Sequence, residues 1–265
     1  MKLADPFRII AHRGASGYAP ENTMAAFRRA VEMGATEVET DVAFTRDGRL
    51  LLFHDHTLER TTSGTGLPED YSLAQLLELD AGSWHDPKLS WDRDYAGERL
   101  ITLEELLDAF GPSLTYHIEL KKPMPGLPEA VVAALQTRGL ADRAFLFSID
   151  DEEGLRRAKL REPRLRIAWA PEELLRTDPR RAVEQCVANG FSMITLNSAN
   201  QSRELIDLAH SLGIEARSSG ISSREKMIAA AEMGCNGMTI NWPDWLLEYV
   251  GKMRRLERNA GLISG

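Results

Sequence analysis

Four short polar sets could do chemistry in this chain: His12-Arg13-Gly14, Glu39-x-Asp41, His54-Asp55 and Glu119-x-Lys121. Each follows or ends an apolar stretch, so a short buried strand delivers it to the strand's C-terminal end, where parallel α/β folds keep their reactive groups. Residues two apart in a strand share a face, which places Glu39 beside Asp41 and Glu119 beside Lys121. Carboxylates cannot share a dry site unpaired. Three acidic ligands, Glu39, Asp41 and Glu119, suit a hard divalent cation, Mg²⁺ or Ca²⁺, better than Zn²⁺. His12 and His54 can exchange protons near neutral pH, one accepting from a nucleophile while the other donates to a leaving oxygen. Asp55 is placed to orient His54, and Arg13 and Lys121 offer fixed positive charge for a phosphate. The combination describes cleavage of a phosphoryl ester. A plain salt-bridge network would account for the acids and cations, but not for two histidines converging on them.

The elements that must position these groups are legible as alternating patterns. Eight apolar strands are expected: Phe7 to Ala11, Glu37 to Ala43, Leu114 to Leu120, Ala144 to Phe147, Leu165 to Trp169, Met193 to Leu196, Ile214 to Arg217 and Gly237 to Ile240. Amphipathic helices lie between them. Asn22 is expected to cap the first, and Thr102-x-x-Glu105 and Ser222-x-x-Glu225 read as capping boxes. The segment Ala30 to Ala35 resembles Ala230 to Cys235, each closing a helix just before a strand. Eight strands separated by helices favour a closed (β/α)₈ TIM barrel over an open doubly wound sheet.

One strand breaks the alternation. Leu50 to Phe53 follows the second strand with only Asp47-Gly48 as a turn signal, which predicts a hairpin. A two-residue turn would pair Arg46 with Arg49 and set His54 opposite Asp41. From Thr57 to Leu100 the chain loses barrel regularity, with a short helix near Ser72 to Leu79 and the aromatic residues Trp84, His85 and Trp91. This insertion reads as a lid, a specificity element or a small cap within one domain of 265 residues.

The bulk numbers fit that reading. A hydrophobic content of 43% and a charged content of 27% are those of an ordinary globule, and the net charge of -8 disfavours nucleic acid and anionic membrane surfaces as partners. Cys186 and Cys235 share no metal-ligand spacing and are expected as buried thiols. No secretory signal or membrane-length apolar run is visible, so a cytoplasmic enzyme is expected. The apolar residues around Trp242 to Val250 are expected either under the barrel or against another subunit of a homo-oligomer.

These motifs, in this order, resemble the glycerophosphodiester phosphodiesterase family. The resemblance also includes Pro20-Glu21-Asn22-Thr23, His54-Asp55-x-x-Leu58-x-Arg60-Thr61-Thr62, Asp80-Ala81-Gly82-Ser83-Trp84 and Ile118-Glu119-Leu120-Lys121, and it is densest in the first half. It implies a (β/α)₈ hydrolase that releases sn-glycerol 3-phosphate and an alcohol. Glu39, Asp41 and Glu119 would hold the metal, His12 and His54 would be the acid-base pair, and Arg13, braced by Glu21, and Lys121 would hold the phosphate. Arg217-Ser218-Ser219-Gly220 departs from a Trp-Thr-Val-Asn run frequent in the family, and Asn241 replaces a frequent Asp.

Arg217, expected to be exposed at a strand end, would contact an anionic part of the substrate or pair with a rim acid. Phe147 and Trp169 would supply apolar walls, unless they are core. His117 would orient Glu119 or pack in the core. Other readings of the same residues are a lysophospholipase D-type phosphodiesterase, a Schiff-base lyase using Lys121, and a barrel that only binds phosphorylated ligands.

Overall fold

Apolar alternation places eight parallel strands in a ring, and the computed structural model shows that ring closed. The structure describes residues 2–259 except His85, Pro87, Ser90 and Asp92, so the expectation for His85 lies outside the described residues. The barrel strands are β1 (Arg8–His12), β2 (Glu37–Phe44), β4 (Thr115–Leu120), β5 (Ala144–Ser148), β6 (Arg166–Trp169), β7 (Met193–Asn197), β8 (Glu215–Ile221) and β9 (Gly237–Ile240). The extra strand is β3 (Leu50–Leu52). Neighbouring barrel strands pair in parallel, and β1 pairs with both β2 and β9, which closes the sheet. All eight expected barrel strands are present. The largest difference is β8, which continues past Arg217 to Ile221 with a register shift between Ser218 and Ile221.

The helices are α1 (Met24–Glu32), α2 (Leu73–Leu76), α3 (Leu103–Phe110), α4 (Leu127–Thr137), α5 (Glu152–Arg161), α6 (Glu172–Thr177), α7 (Pro179–Ala188), α8 (Arg203–Ser211), α9 (Arg224–Glu232) and α10 (Pro243–Asn259). The repeated segments end α1 and α9, each just before a strand. The Thr102 to Glu105 capping box forms as expected. Two other caps are shifted by one residue. Thr23, not Asn22, accepts the first-turn N–H of α1, and Ser223, not Ser222, caps α9. Asn22 has φ +57° and turns its amide toward the barrel instead.

The main core fills the shell between strands and helices, and Leu246 and Val250 of α10 are buried in it. A smaller interior cluster, Phe145, Phe147, Ala168 and Met193, fills part of the barrel itself. Trp169 belongs to the outer shell, edge-on to Phe191, so it is no wall of the barrel mouth. Its neighbour Ala168 takes the inward direction, and alternation sends Trp169 out.

The hairpin differs from expectation by one residue. Val42 pairs with Leu52 and Phe44 with Leu50, so the N–H of Phe53 donates to Asp41 and His54 lies one step beyond. The loop has three residues, with the Gly48 N–H donating to the Thr45 carbonyl and Gly48 at φ +71°. A left-handed glycine after a turn is the bulged alternative to the two-residue hairpin. The Thr45 hydroxyl selects it by donating to Asp47 and accepting from the Arg49 N–H. Asp47 also accepts from the N–H of Leu73, which ties the insertion to the hairpin. Beyond it, Leu58, Leu76, Ala81 and Leu100 pack on Leu51 and Phe53. No helix among the described residues is long and apolar enough to cross a membrane.

Candidate active site

Register assembles the acidic residues before any side-chain contact is considered. His12 of β1 is level with Glu39 of β2, and Asp41 is level with Glu119 of β4. Glu39, Asp41 and Glu119 offer one carboxylate oxygen each within 4.8 Å of one another, and they are 1%, 0% and 8% exposed.

The turn after β1 locks a backbone N–H and a guanidinium onto this cluster. Arg13 has φ +54°, its N–H donates to Glu39 Oε2 at 3.0 Å, and its Nε lies 3.0 Å from Asp41 Oδ2. Gly14 follows at φ +80°, where a Cβ would lie 2.5 Å from the backbone of Ala26, so only glycine lets α1 pack this close. Arg13 Nη1 donates to Glu21 at 2.8 Å, and Arg60 reaches both Glu21 and Asp55. Lys121 Nζ is 2.7 Å from Glu119 Oε1 and 3.6 Å from Asp41 Oδ1. Burial pulls the Lys121 pKa down, but Asp41 and Glu119 raise it overall. A lysine held charged in this way is unsuited to Schiff-base chemistry.

The two histidines are held differently. His12 Nδ1 is 2.6 Å from Asn241 Oδ1, which makes Nδ1 the protonated nitrogen and leaves Nε2, 3.8 Å from Glu39, as an acceptor. Burial, with Arg13 alongside, pushes His12 down to about 3. His54 Nδ1 is 2.6 Å from Asp55 Oδ1, and Arg60 fixes Asp55 in turn. Burial also lowers His54, against the pull of Asp41.

Asp41 Oδ2 accepts from the Asn22 amide at 2.8 Å, whereas Asp41 Oδ1 is enclosed with no hydrogen bond. Burial and mutual repulsion raise Glu39 far above the ordinary carboxylate range and bring Glu119 to about 7, while Arg13 and Lys121 overcome burial to hold Asp41 low. An enclosed oxygen without a hydrogen bond, reached only by Lys121 at 3.6 Å, beside two carboxyls with strongly raised pKa is a donor set short of positive charge, and a hard divalent cation fits it. Glu21, His54 and Asp55 also lie within ligand reach of one another, but Arg13 and Arg60 already engage both acids.

This architecture has close counterparts. The profile of the glycerophosphoryl diester phosphodiesterase family matches residues 12–245, from the first histidine to the start of α10. The chain belongs to that family. A glycerophosphodiester phosphodiesterase of Bacillus subtilis is 33% identical over 91% of this chain and 86% of its own length. One from Caldanaerobacter subterraneus is 31% identical over 92% and 98%. Among solved structures, an Oleispira antarctica phosphodiesterase in complex with the product sn-glycerol-3-phosphate superposes with a TM-score of 0.79 at 26% identity, covering 92% of this chain and 96% of that one. The Agrobacterium tumefaciens glycerophosphodiester phosphodiesterase gives 0.74 at 28%, over 90% and 98%.

Within this phosphodiesterase barrel the sequence-derived residues are not all where expected. Glu21 braces Arg13, Asp55 holds His54, and Phe147 lies inside the barrel. Arg217 is 2% exposed and not on the rim; its Nε donates to Thr195 and its guanidinium lies over the ring of Phe147. His117 does not orient Glu119. It bridges Glu37 and Arg217. Asn22 and Asn241, which grip Asp41 and His12, carried signals of another kind: one looked like a helix cap, the other like a departure from the family pattern.

Proposed function

We propose that this phosphodiesterase hydrolyses glycerophosphodiesters to sn-glycerol 3-phosphate and an alcohol, using Mg²⁺ or Ca²⁺ held by Glu39, Asp41 and Glu119. The buried three-carboxylate cluster, in which Asp41 Oδ1 is enclosed without a hydrogen bond, flanked by the oriented His12 and His54, carries this reading. When bound, the ion supplies positive charge that offsets the buried carboxylates and the charge developing on phosphoryl oxygens.

The chain's own groups do the rest. Arg13 and Lys121, fixed by their carboxylate contacts, hold the phosphate from one side of the cluster. His12, oriented by the neutral Asn241 amide, accepts the proton of the attacking oxygen at Nε2. His54, oriented by the Asp55 carboxylate, is the better holder of a proton, and it donates that proton to the departing alcohol oxygen as the phosphorus–oxygen bond breaks. Residues 57–100 act as a cap that contributes Arg60 to the His54 side.

Release of glycerol 3-phosphate from glycerophosphocholine tests the proposal on chelator-treated protein, before and after Mg²⁺ or Ca²⁺ is added back. Activity should vanish and return with the ion. Equal rates in chelator would overturn the metal assignment, and no release from a panel of glycerophosphodiesters by folded, ion-loaded protein would overturn the reaction.

A further inference from the structure

The cations of the barrel mouth are unequally partnered. Arg13 is bonded to Glu21 and lies against Asp41, Lys121 is bonded to Glu119, and Arg60 bridges Glu21 and Asp55. Arg217 differs. Its Nε donates to the Thr195 hydroxyl at 3.2 Å, its Nη1 donates to His117 Nδ1 at 3.3 Å, and its guanidinium carbon stands 4.4 Å over the Phe147 ring. Among the described residues, no carboxylate forms an ion pair with it and Nη2 has no acceptor.

That arrangement is held from below. His117 is fully buried, its Nε2 is 2.8 Å from Glu37 Oε2, and Glu37 is bonded to Arg8. With Nε2 donating to Glu37, His117 Nδ1 must be the unprotonated nitrogen, so it accepts from Arg217. The guanidinium is thereby fixed in place without being neutralised. The carboxylates that act on it most strongly are Glu39 of β2 and Glu119 of β4, two acids of the cluster. Thr195, its hydroxyl partner, also lines a cavity of about 460 Å³ at the C-terminal ends of β6, β7 and β8, with Asn197, Ser219, Glu172 and Glu173; Arg217 itself is not in that lining. Arg217 therefore stands next to the acidic cluster with Nη2 unengaged. A buried, oriented guanidinium with a free donor is a binding group for an anionic oxygen.

We propose that Arg217 is a further phosphate-binding residue, contacting the substrate's phosphoryl group from the side opposite Arg13 and Lys121. This rests on the phosphodiesterase reading above and adds the residue that completes its anion clamp. The Glu37–His117–Thr195 frame positions it.

The test is titration calorimetry of sn-glycerol 3-phosphate into the Mg²⁺- or Ca²⁺-loaded protein, with metal affinity measured separately on each variant. Arg217→Met should weaken glycerol 3-phosphate binding roughly 10-fold to 100-fold and leave metal affinity within about 2-fold of wild type. Arg217→Lys keeps the charge but loses the fork, and Thr195→Val removes the hydroxyl that orients it. Each should weaken binding by roughly 3-fold to 10-fold, so a Met variant that fails to fold leaves the test standing. Product affinity within 2-fold of wild type in folded Arg217→Met, or in both milder variants, would overturn the inference. Loss of metal affinity with unchanged product affinity would make Arg217 a counter-charge to the carboxylates instead. A wild-type protein that binds no glycerol 3-phosphate would overturn the proposed function, and the inference with it.

Discussion

The two oxygens of Asp41 have different needs, and the difference separates structure from chemistry. Oδ2 is satisfied by the Asn22 amide, whose own oxygen accepts from Thr40 at 2.8 Å, while Oδ1 has no hydrogen bond and only the Lys121 ammonium at 3.6 Å. Asn22→Gly removes that amide without penalising the left-handed backbone, and it should cost about 1–3 kcal/mol in urea denaturation. His12→Ala and His54→Ala should instead leave the unfolding midpoint nearly unmoved while hydrolysis slows by about 10²–10⁴-fold; near-wild-type rates in both would refute their roles. The raised carboxyls give a pH signature. In chelated protein, folded Glu119 and Glu39 retain protons that the unfolded chain releases near 4.5, a contribution lost as pH rises through about 7, whereas His12, His54 and His117, all lowered by burial, act in the opposite sense below their ordinary 6.5. Asp55, held at about 2 against burial by Arg60 and His54, acts only in the acid limb. Thermal midpoints of chelated protein should therefore decline between about pH 7 and 9, above the histidine range, with a shallower slope in Glu119→Gln. A midpoint that climbs across this range would contradict the assignment.

At the scale of elements, strand periodicity made most of the site legible, because alternation alone aims Glu39, Asp41 and Glu119 inward. Local chemistry that depends on distant groups was not. Asn22 has the composition of a helix cap, and only the proximity of Asp41 and Thr40 draws its side chain the other way. Asp47-Gly48 signalled a hairpin, but the choice between a two-residue and a three-residue loop was made by the Thr45 hydroxyl. Arg217 looked like a rim residue because β8 was expected to end there, whereas the strand runs four residues further and carries it inside. Gly48→Ala tests the loop directly. Forcing a side chain into the left-handed region should cost roughly 1–2 kcal/mol by chemical denaturation, and an unchanged midpoint would mean the loop had adopted another turn.

For the whole molecule, closure of the ring depends on charge as well as on hydrogen-bonded strands. Arg8 of β1 donates to Glu215 of β8 at 2.6 and 2.8 Å and to Glu37 of β2 at 3.2 Å, spanning the closing strand β9 from inside. Arg8→Met would leave two carboxylates in the interior without that partner, and should destabilise the barrel by about 3–5 kcal/mol. A loss below 1 kcal/mol in equilibrium unfolding would show that water reaches them. The same seam carries the contact between His12 and Asn241, residues 229 positions apart in the chain. A nascent chain emerging from the ribosome therefore makes its first histidine early and can orient it only after β9 and the turn beyond it have been synthesised and docked. A chain cut short before Asn241 would carry both histidines and all three acids without the contact that orients His12.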